Sequence, residues 1–557
     1  MHPSHLSRAD PLDAAPPPRA RARRTVGSAL ALACAFALAA CGGEHRVGST
    51  STSVSNRAIS SFAWAFAAAP NSLDLAKDGL VAQDAKIMSL VTEPLVRQTL
   101  TAGSSPNLAV GVLQPTPTTL VYEIRPGVHF SDGRPLTAAD VAWSLKHVTG
   151  PTSATASPLS GTPIVTVTGP RQVTVKFAAY EPSDRVELNG ISYIQEASFA
   201  TAHAANLGSP GALPIGTGPY MYQSVTPQSI TLVRNPHYWG AKPLVGKLVF
   251  PVIPEETSAQ LAMRQGSLQA ATVGDLRTTK SWQGIAGATL HPVEDLTSNL
   301  LSFDTSRPPF NDLHLRLAIA YSFDRTGIAA SAFGNRATLL QALIPPSELV
   351  DVAPSASALA QFLSGLPTYG LDPARAKAEL KQSRHPHGLA VTIPYRTDVG
   401  WEPLALLNLA QNMKPLGVKI APHPESLNQW GQQLFEHQMR GIQVLPNFGA
   451  AAPDPNDVLG ALTDPVLQPG HINAANWAPP AMVAARKSML TSPDRATRWR
   501  AAKTILSTIA TQVPYLPLFT APVVYALAPS YTFTKPLTIF DLINGDWVDY
   551  LRTTARS

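Results

Sequence analysis

Apolar and polar positions along the chain alternate between a two-residue and a three-to-four-residue period. Residues 120–124 read as a strand, and Pro126-Gly127 and Asp132-Gly133 supply the turns after it. Val141, Leu145 and Val148 then fall on one helical face behind Thr137, a residue suited to cap a helix N-terminus. Segments 165–168 and 173–177 read as paired strands around Gly169-Pro170, and 229–233 and 247–252 as further strands. Asp372-Pro373 places a capping residue before a proline at the first helical position. Residues 401–413 are predicted helical, with a strand at 418–420 after a turn at Gly417. Trp499, Ala502, Leu506 and Ile509 mark a last amphipathic helix before a proline-broken strand near 514–519. The elements mix α and β with no fixed period, which argues against a repeat solenoid.

The N-terminus follows a different pattern. Arg19, Arg21, Arg23 and Arg24 precede an uncharged run at 26–40, which ends in Leu38-Ala39-Ala40-Cys41. Fifteen residues are short for a membrane span, which needs about 20, but suit an export signal. Small residues before Cys41 resemble the bacterial lipobox, in which that cysteine is acylated and becomes the mature N-terminus. Residues 1–40 are therefore expected to be a lipoprotein signal peptide, and 41–57, rich in Gly, Ser and Thr, a flexible tether.

Composition narrows the remaining choices. Of 557 residues 45% are hydrophobic and 14% charged, enough apolar content for large cores despite 52 prolines. Two cysteines, Cys34 and Cys41, cannot build a disulfide scaffold. The net charge of +6 falls to +3 without residues 1–40, so no case for nucleic acid remains. The chain has no His-Glu-x-x-His helix, no Gly-x-Ser-x-Gly elbow, no phosphate loop and no dinucleotide glycine pattern. His385-Pro386-His387 offers two imidazoles on a proline-containing loop, which suits solvated surface better than a metal site. No enzyme, cofactor or metal is expected.

Several ordered segments resemble one family. They are Arg125-Pro126-Gly127, Phe130-Ser131-Asp132-Gly133 and Thr137 to Asp140-Val141; Gly216-Thr217-Gly218-Pro219-Tyr220; and Asn235-Pro236-His237-Tyr238-Trp239. Pro309-Phe310-Asn311-Asp312 with Arg316 and Ala318, then Asp324-Arg325, Pro453-Asp454-Pro455, Asn473 and Pro514-Tyr515-Leu516-Pro517-Leu518 complete the series. Together they resemble the oligopeptide- and dipeptide-binding lipoproteins of ABC importers, solute-binding protein family 5, over about residues 70–520. The resemblance implies an α/β periplasmic-binding-protein fold with two lobes, a hinge and an extra inserted subdomain. Lobe 1 would comprise 58–297 and 512–557, with the insert near 92–210, and lobe 2 would comprise 298–511. The chain would cross between lobes near 296–299 and 510–514. Most motif residues read as fold determinants, with glycines at tight turns and close backbone approaches.

Peptide binders of the family hold the ligand's α-amino group with an aspartate three positions before the landmark matched by Asp454-Pro455, and here that position is Ala451. A buried ammonium without a carboxylate is costly, so an ordinary free-amino peptide is in doubt unless Asp454 compensates. Arg396 stands near the segment that pairs the ligand carboxylate in some relatives, and its fork suits that chemistry. Trp401, Trp430, Phe448 and Trp477 are aromatic candidates for the cleft wall. The resemblance implies an exported solute receptor, anchored by lipid at the outer face of the cell membrane or in the periplasm. It would act as a monomer, capture a peptide or similar small polar solute, and deliver it to ABC permease subunits. Oligosaccharides and metal chelates are alternative solutes. A sensory or adhesive lipoprotein on the same scaffold is the alternative function.

Overall fold

Three sheets organise the chain. The computed structural model describes residues 54–79, 82–100, 104–156, 159–449 and 453–554, all within the compact unit Thr52–Ser557. The first sheet has seven strands. Thr289–Val293 lies at one edge, followed by Val523–Leu527, Ala270–Thr272, Ile59–Ala65, Val245–Pro251, Ser229–Arg234 and Tyr220–Thr226. Ile59–Ala65 runs parallel to both its neighbours and is buried at Ile59, Phe62 and Trp64, the side chains that seed the core beneath.

The second sheet orders Thr338–Leu339, Tyr515–Thr520, Thr297–Phe303 and Ile442–Gly449. Period-two alternation buries both of its faces: Leu301, Phe303 and Leu516 enter one core, while Leu300, Leu445 and Tyr515 enter another. Pro517, which has no N–H to give, stands opposite Leu300 where the register shifts. Tyr515–Thr520 hydrogen-bonds within the second sheet before the chain leaves it, so the crossings between the two sheets lie at 294–296 and 521–522. Beside them one apolar core runs across the junction, joining Met263 and Trp282 to Leu301, Trp401 and Phe519.

The segment expected as an insert contains a four-stranded antiparallel sheet, Ala109–Thr116, Thr119–Ile124, Gln172–Lys176 and Ile164–Gly169 in that order. Its own core includes Leu120, Tyr122, Val141, Leu145 and Val175. The capped helix expected after Thr137 is Ala138–Val148. The Thr137 hydroxyl accepts the Asp140 N–H, and the Asp140 carboxylate accepts the Thr137 N–H, a reciprocal capping box.

The motif segments hold these parts together. A Cβ at Gly216 would lie 1.9 Å from the Val91 carbonyl oxygen, and one at Gly218 2.4 Å from that of Leu90, so only glycine lets this loop lie against 90–92. The loop then places Thr217 Oγ1, and the next landmark places Trp239 Nε1, to donate to one oxygen of buried Glu93 at 2.9 and 2.8 Å. Burial still pushes the Glu93 carboxyl up to about 7. Arg316 and Arg325 serve the second sheet. Arg316 donates to the carbonyls of Phe310, Gln512 and Val513, and Arg325 to those of Leu340 and Pro517. Both guanidinium groups are pulled down to about 10 by burial.

Candidate functional site

Cavities line the seam between the first sheet with its insert and the second sheet. One of about 380 Å³ lies beside the insert helix Pro182–Ile191, which opens on Pro182 and presents Arg185 and Asn189 to the space. This helix packs tightly on the chain behind it, since a Cβ at Gly190 would sit 2.8 Å from the Gln98 amide, which donates to the Val186 carbonyl. Across the seam stands the helix Pro455–Leu462, whose N-cap Asp454 accepts the Asn456 N–H at 2.9 Å.

Asp454 lines this cavity but its charge is already matched. Arg498 Nη2 donates to both carboxylate oxygens at 2.7 and 2.8 Å, and both side chains are nearly buried. Around this pair lies an excess of acids. Glu187 on the insert helix and Glu348 on the facing side are fully buried, and all four of their carboxyl oxygens accept no hydrogen bond. Burial, followed by the neighbouring charges of Asp457 and Asp454, raises both pKa values well above the usual carboxylate range. Burial and Asp184 push Glu181 up to about 7, and burial and Asp454 push Asp351 up to about 6.

Arg396 ends the strand Ala390–Arg396 and is engaged within the chain. It donates from Nε and Nη2 to the two oxygens of Asp398 at 3.1 and 2.5 Å, and its guanidinium carbon lies 5.1 Å from the Trp430 ring centre. Its backbone N–H donates to buried Glu402, whose carboxyl is raised to about 8 by burial. The structure thus brings Arg396 and Trp430 together. Trp401 belongs to the core, edge-on to Phe519 at 4.9 Å and tilted against Phe333, though it also borders a cavity of about 230 Å³ opposite Asp275 and Arg277. Phe448 and Trp477 are half-buried against the core of the second sheet, and Trp477 is pinned through its backbone to the Asn473 amide. Ala451 and Cys41 lie outside the described residues. No group of three or more metal-ligating side chains occurs among the described residues, and no helix there is long and apolar enough to cross a membrane.

The sequence profile of bacterial extracellular solute-binding proteins, family 5, middle region, matches residues 104–466. The chain belongs to this family. The nickel-binding periplasmic protein of Escherichia coli K12 is 27% identical over 306 residues, 53% of this chain and 56% of that protein. The probable D,D-dipeptide-binding periplasmic protein DdpA of the same organism is 27% identical over 312 residues, 54% of this chain and 56% of the relative. These matches span about half the length of each curated relative. The fold extends further. The ABC transporter-associated periplasmic binding protein DppA of Helicobacter pylori, solved with the peptide STSA, superposes with a TM-score of 0.71 at 17% identity. That alignment covers 90% of this chain and 99% of DppA. The mixed α/β architecture expected from the sequence is therefore that of periplasmic binding proteins.

Sequence reasoning missed Glu187 and Glu348, because a glutamate on a helix ordinarily reads as a solvated face. One signal was available: Leu188 and Ile191 place an apolar edge beside Glu187, which sets it near a packed surface.

Proposed function

We propose that this member of family 5 is the extracytoplasmic solute receptor of an ABC importer, closing two lobes over a peptide or similar small polar solute. The observation that carries this reading is the pair of short crossings, 294–296 and 521–522, joining two sheets whose shared seam contains cavities. Clefts between bodies joined in this way are where small ligands bind and about which hinges close. The lobes would be the first sheet with its insert and the second sheet with its helices. Contacts completed only on closure would shift the population toward the closed form. Family relatives support the solute class: one is named for nickel, one for D,D-dipeptides, and DppA is solved with a peptide.

Export by residues 1–40 and acylation at Cys41 would hold the receptor at the membrane as a monomer. Asp454 is already paired with Arg498, and Arg396 with Asp398, so a ligand charge reaching either must exchange a partner. Ligand classes that need no carboxylate at position 451 are favoured.

Native mass spectrometry of gently purified protein tests the receptor reading. Retained solute, released on denaturation, is the expected result; a protein that retains none and binds no member of a peptide, sugar and chelate panel overturns it. Loss of solute uptake when the partner permease is deleted would separate import from sensing. Incorporation of an alkyne fatty acid, abolished by Cys41→Ser, is expected for the lipoprotein.

A further inference from the structure

Another cavity lies away from Asp454, at the crossings themselves. It encloses about 710 Å³ between the segment carrying Glu294 and Asp295 and the facing stretch from Arg336 to Pro346. The two walls carry opposite charge. The backbone N–H of half-buried Arg336 donates to the Phe333 carbonyl, but its guanidinium has no hydrogen-bond or ion-pair partner among the described residues, and Nε is fully shielded from solvent. Opposite it, Asp295 spends its carboxylate on the Leu296 N–H and the Thr297 hydroxyl at 2.8 and 3.0 Å, and burial still raises its pKa. Exposed Glu294 adds a second negative charge and accepts from Ser347 at 3.4 Å.

Through Gln341, Pro346 and Leu363 this cavity shares walls with a second of about 510 Å³, bordered by Val350, Ala356 and Leu359. A dipolar mouth thus opens into an apolar arm. An unpaired, partly desolvated guanidinium costs free energy that a carboxylate would recover, and the acids opposite disfavour a ligand that is only an anion. The apolar arm rewards a hydrocarbon branch in proportion to the area removed from water.

We propose that the crossing cavity is a second binding position, distinct from the cavity beside Asp454. It takes a small zwitterion bearing an apolar branch, with the carboxylate on Arg336, the ammonium toward Asp295 and Glu294, and the branch beside Leu359 and Leu363. Bound there, the ligand ties the crossing segment 294–296 to the loop that faces it.

Titration calorimetry on the detergent-purified full-length chain tests this with three probes: L-leucyl-L-leucine, its C-terminal amide and its N-acetyl form. The free dipeptide is expected to bind at least tenfold more tightly than either blocked form, and diglycine at least tenfold more weakly than dileucine. Arg336→Gln is expected to weaken the free dipeptide about tenfold and leave the amide within twofold, so that the preference between them disappears. Glu294→Gln serves the ammonium side without touching the Asp295 turn. Equal affinities for the free and blocked probes, or an Arg336→Gln protein that binds dileucine unchanged, overturn the assignment. If other solutes bind and dileucine does not, this inference falls and the receptor reading stands. If nothing binds at all, both fall.

Discussion

Lys86 shows how one side chain can be placed against its own chemistry. Its ammonium is fully buried over the rings of Trp64, Phe66 and Tyr525, at 4.2, 4.3 and 4.9 Å from their centres, and makes no hydrogen bond. Burial drives its pKa well below the usual lysine value, against the pull of Asp84. Three aromatic faces return part of the lost hydration through the attraction of their ring quadrupoles. Methionine has nearly the same length and no charge to desolvate. Lys86→Met is therefore expected to stabilise the protein by about 1–3 kcal/mol, whereas Lys86→Ala, which opens a cavity, costs about 2–4 kcal/mol. Chemical denaturation midpoints check both, and a destabilised methionine variant would mean that the cage relies on the charge.

At the scale of elements, the family motifs act as joints. Gly216 and Gly218 let one loop approach the backbone of 90–92, and Thr217 and Trp239 close on Glu93. Gly216→Ala must move backbone and is expected to cost more than about 2 kcal/mol, while Gly211→Ala, whose nearest neighbour stands at 3.9 Å, should stay within about 0.5 kcal/mol. Equal effects at the two glycines would refute the close-approach argument. Arg316 joins the helix Leu313–Ala320 to the end of Arg495–Gln512 through the carbonyls it binds. Arg316→Leu leaves those carbonyls without a donor and is expected to lower stability by about 2–4 kcal/mol, measured as a fall in melting temperature. These motifs were readable in the sequence as landmarks. Their meeting at one buried glutamate was not, because Glu93 stands in no pattern that distinguishes it from the other acids among the 37 Asp and Glu residues.

Across the whole molecule, the seam stores a response to pH. Glu187 and Glu348 come from opposite sides of it, and burial raises the pKa of each above the reference value of 4.5. The folded chain therefore binds more protons than the unfolded chain. Their stabilising contribution is complete below about 4.5 and is lost as pH rises through the raised values. Glu181 and Glu93, raised to about 7, act in the same direction, which sets the principal window between about 4.5 and 7. The melting temperature is expected to be higher at pH 5 than at pH 7.5. Glu187→Gln, neutral at every pH, should raise it at pH 7.5 and flatten part of the slope. A mutant with the parent's pH profile would show that Glu187 is hydrated or paired in solution.

Local pattern was enough to determine much of this protein. The period-two and helical repeats place the strands Thr119–Ile124 and Ser229–Arg234 and the capped helices Ala138–Val148 and Pro373–Gln382, because caps, prolines and alternating apolar residues act on neighbours along the chain. Ordered landmarks also pointed to the family. Tertiary structure alone decided where the chain returns, since Tyr515–Thr520 finds its partner some two hundred residues away in Thr297–Phe303. It alone decided that Arg396 lies over Trp430, that Trp401 is core, and that the Arg336 guanidinium stands unpaired in a cavity. The physical reason is the same throughout. A charge or a ring acquires its role from what desolvates it and what answers it, and those groups come from distant parts of the chain.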